Sequence, residues 1–440
     1  MTRRSRLFPR ADVVDATQRR IDSLTVTDQQ TVASTMQNTY VPVSTRACLP
    51  FDSSVGLTDG TILGGTAKLR HVAVRTFSGV RLAFTNAYAG AGNTEADTPN
   101  AITVRAAVEP LGNIIIPVTF GGARSVLIQP GATVLSDPVG VDIAKGTTFY
   151  TRTWVQVASG EKFPRAGYIT ASSGEGNNYG TTVGADLTGT GSSSLTGIGT
   201  NQRVFGPSMI LGRVKDPGKP VVGIIGDSIA QGSNDNDRGY IERSLLDGYS
   251  FQKVAFPGEA LDGWIGNNGL TRYRRASILI SASLTHAICE YGRNNMNSAT
   301  VQADTLAAWT SLARMGVPVY QTTITPQTTS TDGWVTVGNQ TVADATKEAR
   351  RTAFNDWLRD GAPISAGAPV APGMSGASRA GSAAHPLSGW FEIADLAESA
   401  RNSGKWKGGY TSDGTHPGAT GADALKAGIN PAVFGQPSAA

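Results

Sequence analysis

The sequence predicts a chain in two parts: an antiparallel β-sandwich or jelly roll, followed by an α/β domain built on a parallel sheet. Three observations predict it. Between residues 62 and 214, short alternating apolar runs are separated by Gly, Asn, Asp and Pro with no helical stretch between them, and one-sided sheets of that kind must bury their apolar faces on each other. Residues 215–220, Lys-Asp-Pro-Gly-Lys-Pro, break any regular element. After them Val221-Val222-Gly223-Ile224-Ile225 is a continuous apolar run, as in a strand covered on both faces, and later strand-like runs alternate with helical patterns. The expected division is an arm over residues 1–46, a sandwich over 47–215 and the α/β domain over 216–440.

The arm is polar and rich in Thr and Gln, and Val13, Val14, Ile21 and Leu24 share one helical face. It reads either as a strap on its own chain or as a docking segment for an assembly partner. Arg3, Arg4, Arg6 and Arg10 are not followed by the apolar run of a secretion signal. In the sandwich, strands are expected at residues 68–76, 80–85, 101–108, 114–120, 124–128 and 147–157. Gly, Ser, Thr and Asn dominate 171–200, which reads as a long mobile loop. In the α/β domain, further strands are expected at 250–255, 278–280 with 286–290, and 317–323, and helices at 240–246, 301–314, 341–360 and 419–428. Reactive residues of such a sheet belong on loops at the carboxyl ends of its strands.

Composition narrows the function classes. The 440 residues include 16% charged side chains and a net charge of +4, so the surface is expected to be polar and neutral. Nucleic-acid binding is disfavoured because no run of Lys and Arg follows the first ten residues. No window approaches eighteen apolar residues, so membrane insertion is not expected and the protein reads as soluble. Two cysteines exclude a disulfide framework; Cys289 lies in a largely apolar run, where a thiol packs. A chain of this length buries enough surface to fold without a metal, and no cofactor is implied. The loop 234–237 lacks calcium-loop spacing, because Gly239 falls at the fifth position from Asp235; it reads as solvated.

The chemistry is sought at the strand ends. The first parallel strand runs into Gly226-Asp227-Ser228, which puts Ser228 on a tight turn. A hydroxyl nucleophile needs a base, and there are four histidines. His71 and His286 sit in strands and read as structural, and His385 lies in a small-residue loop with no acid three positions before it. His416 follows Asp413 by three in Asp413-Gly414-Thr415-His416. In a turn, that spacing lets the carboxylate meet one ring nitrogen while the other points away, as activation of a serine requires. Gly258, after the second strand, offers an unobstructed backbone amide, and Asn294, after the third, an NH2; with the Ser228 amide they could surround an oxyanion.

These blocks, Gly226-Asp227-Ser228, Gly258, Gly292-Arg293-Asn294 and Asp413-Gly414-Thr415-His416, resemble those of the SGNH (GDSL) hydrolase family. The resemblance spans residues 221–430. It implies a flavodoxin-like three-layer domain with Ser228 as nucleophile, His416 as base, Asp413 as its orienting partner, and Ser228, Gly258 and Asn294 as oxyanion donors. Where the family commonly has Asp after the third-block Asn, this chain has Asn295, a position that usually supports the loop. The segment before it resembles the sandwich that precedes some bacterial esterases of this family. The expected activity is hydrolysis of acyl esters, acetyl foremost, on a carbohydrate or cell-surface polysaccharide, with Trp264 and Tyr291 as candidate sugar-stacking walls. The alternatives are a lipase or thioesterase of the same family, or a phage tail protein in which the domain serves attachment.

Overall fold

Thr148–Gln156, rich in Thr, aromatic and Val residues, suits a pleated strand. It pairs antiparallel with Gly64–Val72 on one side and Ile102–Glu109 on the other, Thr151 lying between Leu69 and Val108. This is the centre of a six-stranded sheet completed by Gly176–Asn177, Ile116–Pro117 and Val126–Ile128. A second antiparallel sheet has the order Tyr40–Pro42, Met209–Arg213, Val80–Thr85, Thr133–Leu135. The two share a core: Val41, Leu82, Phe84 and Ile210 from one lie in the same buried cluster as Leu69, Val104 and Phe149 from the other. The structure is a computed structural model that describes residues 40–435 apart from 52–55, 90–94, 111–113, 166–172, 194, 196–203, 217, 266–274, 276–277 and 279–280.

The parallel sheet has the order Ser250–Lys253, Val221–Ile225, His286–Cys289, Val319–Thr322, Gly389–Phe391. In chain order this is 2-1-3-4-5, the order of doubly wound flavodoxin-like sheets, whose switch point lies between the first and third strands. Successive residues of one strand point to opposite faces. Thus Val221, Ile225, Ala287 and Cys289 join one core with Trp309, Leu312, Phe354 and Trp357, while Val222, Ile224 and Ile288 join another with Ile241, Leu245, Ala422 and Leu425. Helices Val301–Ala313 and Ala345–Arg359 cover the first face, their Trp309 and Trp357 rings stacked at 5.6 Å. Helices Gly239–Leu245 and Ala419–Leu425 cover the second.

Several expectations are corrected. The arm as divided at residue 46 is too long, because Tyr40–Pro42 is an edge strand paired with Met209–Arg213, with Val41 and Val43 fully buried; residues 1–39, including the helical face, lie outside the described residues. The described part of 171–200 packs on the six-stranded sheet instead of leaving it. Asn178 Oδ1 accepts from Thr66 N–H, Trp154 Nε1–H donates to Gly184, and Arg152 donates to Leu187 and Ser193 carbonyls. Residues 114–120 contribute only Ile116–Pro117. Ile278 is helical, with Ala282 N–H donating to its carbonyl. The stretch 341–360 divides into a strand, Gln340–Val342, and a helix whose N-terminus is capped by Asp344, which accepts from the N–H groups of Thr346 and Lys347. The loop 234–237 is not solvated throughout: Asp235 and Asp237 are buried, held by Arg243 and Arg46. No described helix is long and apolar enough to cross a membrane.

The histidines read as structural are so placed. His71 is fully buried between the Thr45 carbonyl and the Thr151 hydroxyl, and burial pushes its pKa down to about 3. A base held neutral in the folded state gives stability that is present above the unfolded pKa and lost as pH falls through 6.5 towards 3. His71 alone should cost about 2 kcal/mol between pH 7 and pH 5 by this linkage. Urea unfolding at the two pH values should therefore show a smaller acid loss for His71→Gln than for the parent; equal losses would contradict the assignment.

Candidate active site

Gly226 follows the first parallel strand at a point where a side chain has no room: a Cβ there would lie 2.7 Å from Ala230 Cβ and 2.9 Å from Glu290 Cβ. The close approach lets the chain turn at once into the short helix Ser228–Gln231. Asp227 caps it, its Oδ1 accepting from Ile229 N–H at 2.9 Å. Ser228, the first residue of that helix, is 7% exposed, and its N–H has no acceptor within the helix.

The segment 411–416 reaches the same place from 188 residues away. Asp413 Oδ1 accepts from the N–H groups of Thr415 and His416, both at 2.8 Å, while its Oδ2 accepts from His416 Nδ1–H at 2.7 Å. That fixes the tautomer: Nε2 is left as the acceptor and lies 2.7 Å from Ser228 Oγ. Burial of the Asp413 carboxyl pushes its pKa up, but the bonds from the His416 ring and the two amides more than offset this and hold it well below the usual carboxylate range. The turn is bolted down on several sides. Thr411 Oγ1 donates to the His416 carbonyl, Trp406 Nε1–H donates to the Gly414 carbonyl, and Gln327 Nε2 donates to Thr415 Oγ1. Gly414 has φ 78°, and a Cβ there would sit 1.9 Å from the Thr328 carbonyl oxygen.

The two outlying candidates also meet here. Phe256 N–H donates to the Gly226 carbonyl, which brings the exposed Gly258 turn against the Ser228 turn. Asn294 Nδ2 donates to the Glu259 carbonyl at 2.8 Å and to Asp227 Oδ2 at 3.2 Å. Asn295 accepts from Leu261 N–H at 2.7 Å, so it caps the helix Leu261–Ile265 through an oxygen that an Asp side chain could equally supply. Beneath the site Asp227 and Glu290 form a buried carboxyl pair. Burial pushes Asp227 up to about 6, and burial together with the neighbouring Asp227 charge pushes Glu290 well above the usual carboxylate range.

Trp264 and Tyr291 are not sugar-stacking walls. Both rings are fully buried, tilted against one another at 6.4 Å, because Arg275 lies over the Trp264 ring and donates to the Tyr291 hydroxyl. Sequence reasoning also missed Asn234, whose Nδ2 donates to Asp413 Oδ2 at 2.8 Å, and Glu290, whose signal was an acid ending an otherwise apolar strand. Among the described residues, no cluster of His, Cys, Asp and Glu could hold a metal ion.

No family model matches the chain. No curated protein matches it either. Solved structures do. A GDSL-like lipase from Bacteroides thetaiotaomicron is 14% identical over 48% of this chain and 87% of its own, with a TM-score of 0.30. TesA is 14% identical over 48% of this chain and 95% of its own, at 0.28. The Bacillus subtilis protein YXIM is 15% identical over 76% of this chain and 78% of its own, at 0.31.

Asn234 has φ 64° and is exposed, so Asn234→Gly removes the donor to Asp413 without backbone strain. The rate at which a fluorophosphonate labels Ser228 should fall about fivefold, as for a loosened positioning contact, with the thermal midpoint unchanged. An unaltered labelling rate would show that Asn234 does nothing for the relay.

Proposed function

We propose that the chain is a serine esterase that removes short acyl groups, acetyl foremost, from hydroxyls of a carbohydrate. The observation that carries the reading is the relay itself: Ser228 Oγ to His416 Nε2 and His416 Nδ1 to Asp413 Oδ2, each at 2.7 Å. Ser228 Oγ attacks the ester carbonyl while His416 Nε2 takes its proton, and Asp413 stabilises the imidazolium that results. The carbonyl π electrons collapse onto oxygen. That oxyanion rests on the N–H groups of Ser228 and Gly258 and on Asn294 Nδ2, which exchanges its longer bond to Asp227 for the new charge. His416 returns the proton to the departing alkoxide. Water, deprotonated by His416, then attacks the acyl-enzyme and frees the acid and Ser228.

The carbohydrate assignment draws on the sparse charge of the chain and on the antiparallel sheets, read as a jelly-roll sandwich beside the catalytic half. A lipase would need an apolar lid or groove near Ser228. Among the described residues, the large hydrophobics that stand exposed, Ile114, Leu127, Val335, Met374 and Val433, are scattered along the chain.

Purified protein should hydrolyse aryl acetates and release acetate from acetylated polysaccharide. Ser228→Ala and His416→Ala should each lose about 10³-fold or more in kcat. Background rates in all three would overturn the esterase reading, and a preference for long acyl chains over acetyl would overturn the acetyl assignment.

A further inference from the structure

The turn that carries Gly258 is anchored from the other half of the molecule. Glu259, the next residue, is fully buried and takes a bidentate pair from Arg275, with Nη1 to Oε2 at 2.6 Å and Nη2 to Oε1 at 2.7 Å. Arg275 is itself fully buried, sandwiched over the Phe256 and Trp264 rings at 4.3 and 5.1 Å. Its remaining edge, Nε, donates at 2.5 Å to Glu95 Oε1. Glu95 begins the strand Glu95–Asp97, which pairs with Ala87–Ala89 among the antiparallel strands of the N-terminal half, and its side chain is fully buried too. At its other end the same turn holds the oxyanion candidate from the third strand, since the Glu259 carbonyl accepts from Asn294 Nδ2.

From this chain of contacts we infer that Glu95 is a positioning residue for the oxyanion donors, so that the N-terminal sheets form part of the catalytic apparatus. The inference rests on the esterase reading above. Physically, a guanidinium without water needs its whole perimeter matched by acceptors. Glu259 fills one side and Tyr291 donates to that carboxylate. With Glu95 withdrawn, Arg275 turns to recover an acceptor and takes the Glu259 side chain with it. The two atoms that move are the Gly258 N–H and the carbonyl that orients Asn294. Ser228, His416 and Asp413 are held by separate bonds and stay in place. The loss therefore falls on stabilisation of the tetrahedral oxyanion, and substrate binding is spared.

The test is made on the full chain with an aryl acetate, counting active sites by fluorophosphonate labelling of Ser228 so that misfolded molecules drop out. Glu95→Met, which removes both acceptor oxygens at similar volume, should lower kcat per active site about tenfold, a part of the loss expected for removing one donor outright, with KM within about twofold. Affinity for a trifluoromethyl ketone, whose adduct with Ser228 places an oxyanion on the same donors, should fall by the same factor. Glu95→Gln leaves one oxygen to accept from Arg275 Nε but removes the charge, and should lose about threefold in kcat with the same fall in ketone affinity, which secures the test should the methionine variant fail to fold. Wild-type kcat per active site in both variants would overturn the role of Glu95. So would a loss in KM alone, or ketone affinity that does not follow kcat. A parent protein inert to both the acetate and the fluorophosphonate would instead overturn the esterase reading, and this inference with it.

Discussion

The hydrogen bond from His416 Nδ1 to Asp413 Oδ2 is the contact on which the site depends. Without it the imidazole is free to present either nitrogen to Ser228, and half of its orientations offer a proton where an acceptor is needed. Much of the surrounding structure exists to make that bond inevitable. The aspartate is seated by two amides of its own turn, the turn is seated by Thr411, Trp406 and Gln327, and Asn234 grips the aspartate from the opposite loop. The parallel sheet supplies the remaining constraint, because its first and third strands run side by side and deliver Ser228 and Asn294 to neighbouring positions at one edge.

The two halves of the molecule are joined by charge as well as by hydrocarbon. Arg275 links Glu95 to Glu259, Arg46 links Glu175 to Asp237, and Arg75 reaches Asp216. Phe51 packs on Phe256 at 5.2 Å beside them, and Gln252 donates to the Ala47 and Ser208 carbonyls. Such pairs require well-matched partners because taking ions from water is expensive. They therefore fix one relative placement of the halves where an apolar seam alone would tolerate sliding.

What was legible in the sequence was what short range decides. The strand Val80–Thr85 could be read to the residue because its alternation is bounded by turn formers. Ser228, Asp413 and His416 could be read because each sits in a compact local motif whose spacing has a chemical meaning. Long-range partners were not legible. The apolar run at 278–280 suits a buried strand and a buried helix equally. The edge strand Gly389–Phe391 has three residues and no period to detect. Trp264 and Tyr291 look like binding aromatics until Arg275 claims both, and Asp235 and Asp237 look solvated until Arg243 and Arg46 arrive from elsewhere.

The buried arginines have a thermal consequence. Hydration of ions becomes less favourable on heating, so the cost of keeping Arg275 and its two carboxylates dry falls as temperature rises, whereas the benefit of hydrocarbon burial levels off. The ionic part of the junction accordingly loses less of its strength on warming than a purely apolar seam of the same extent would.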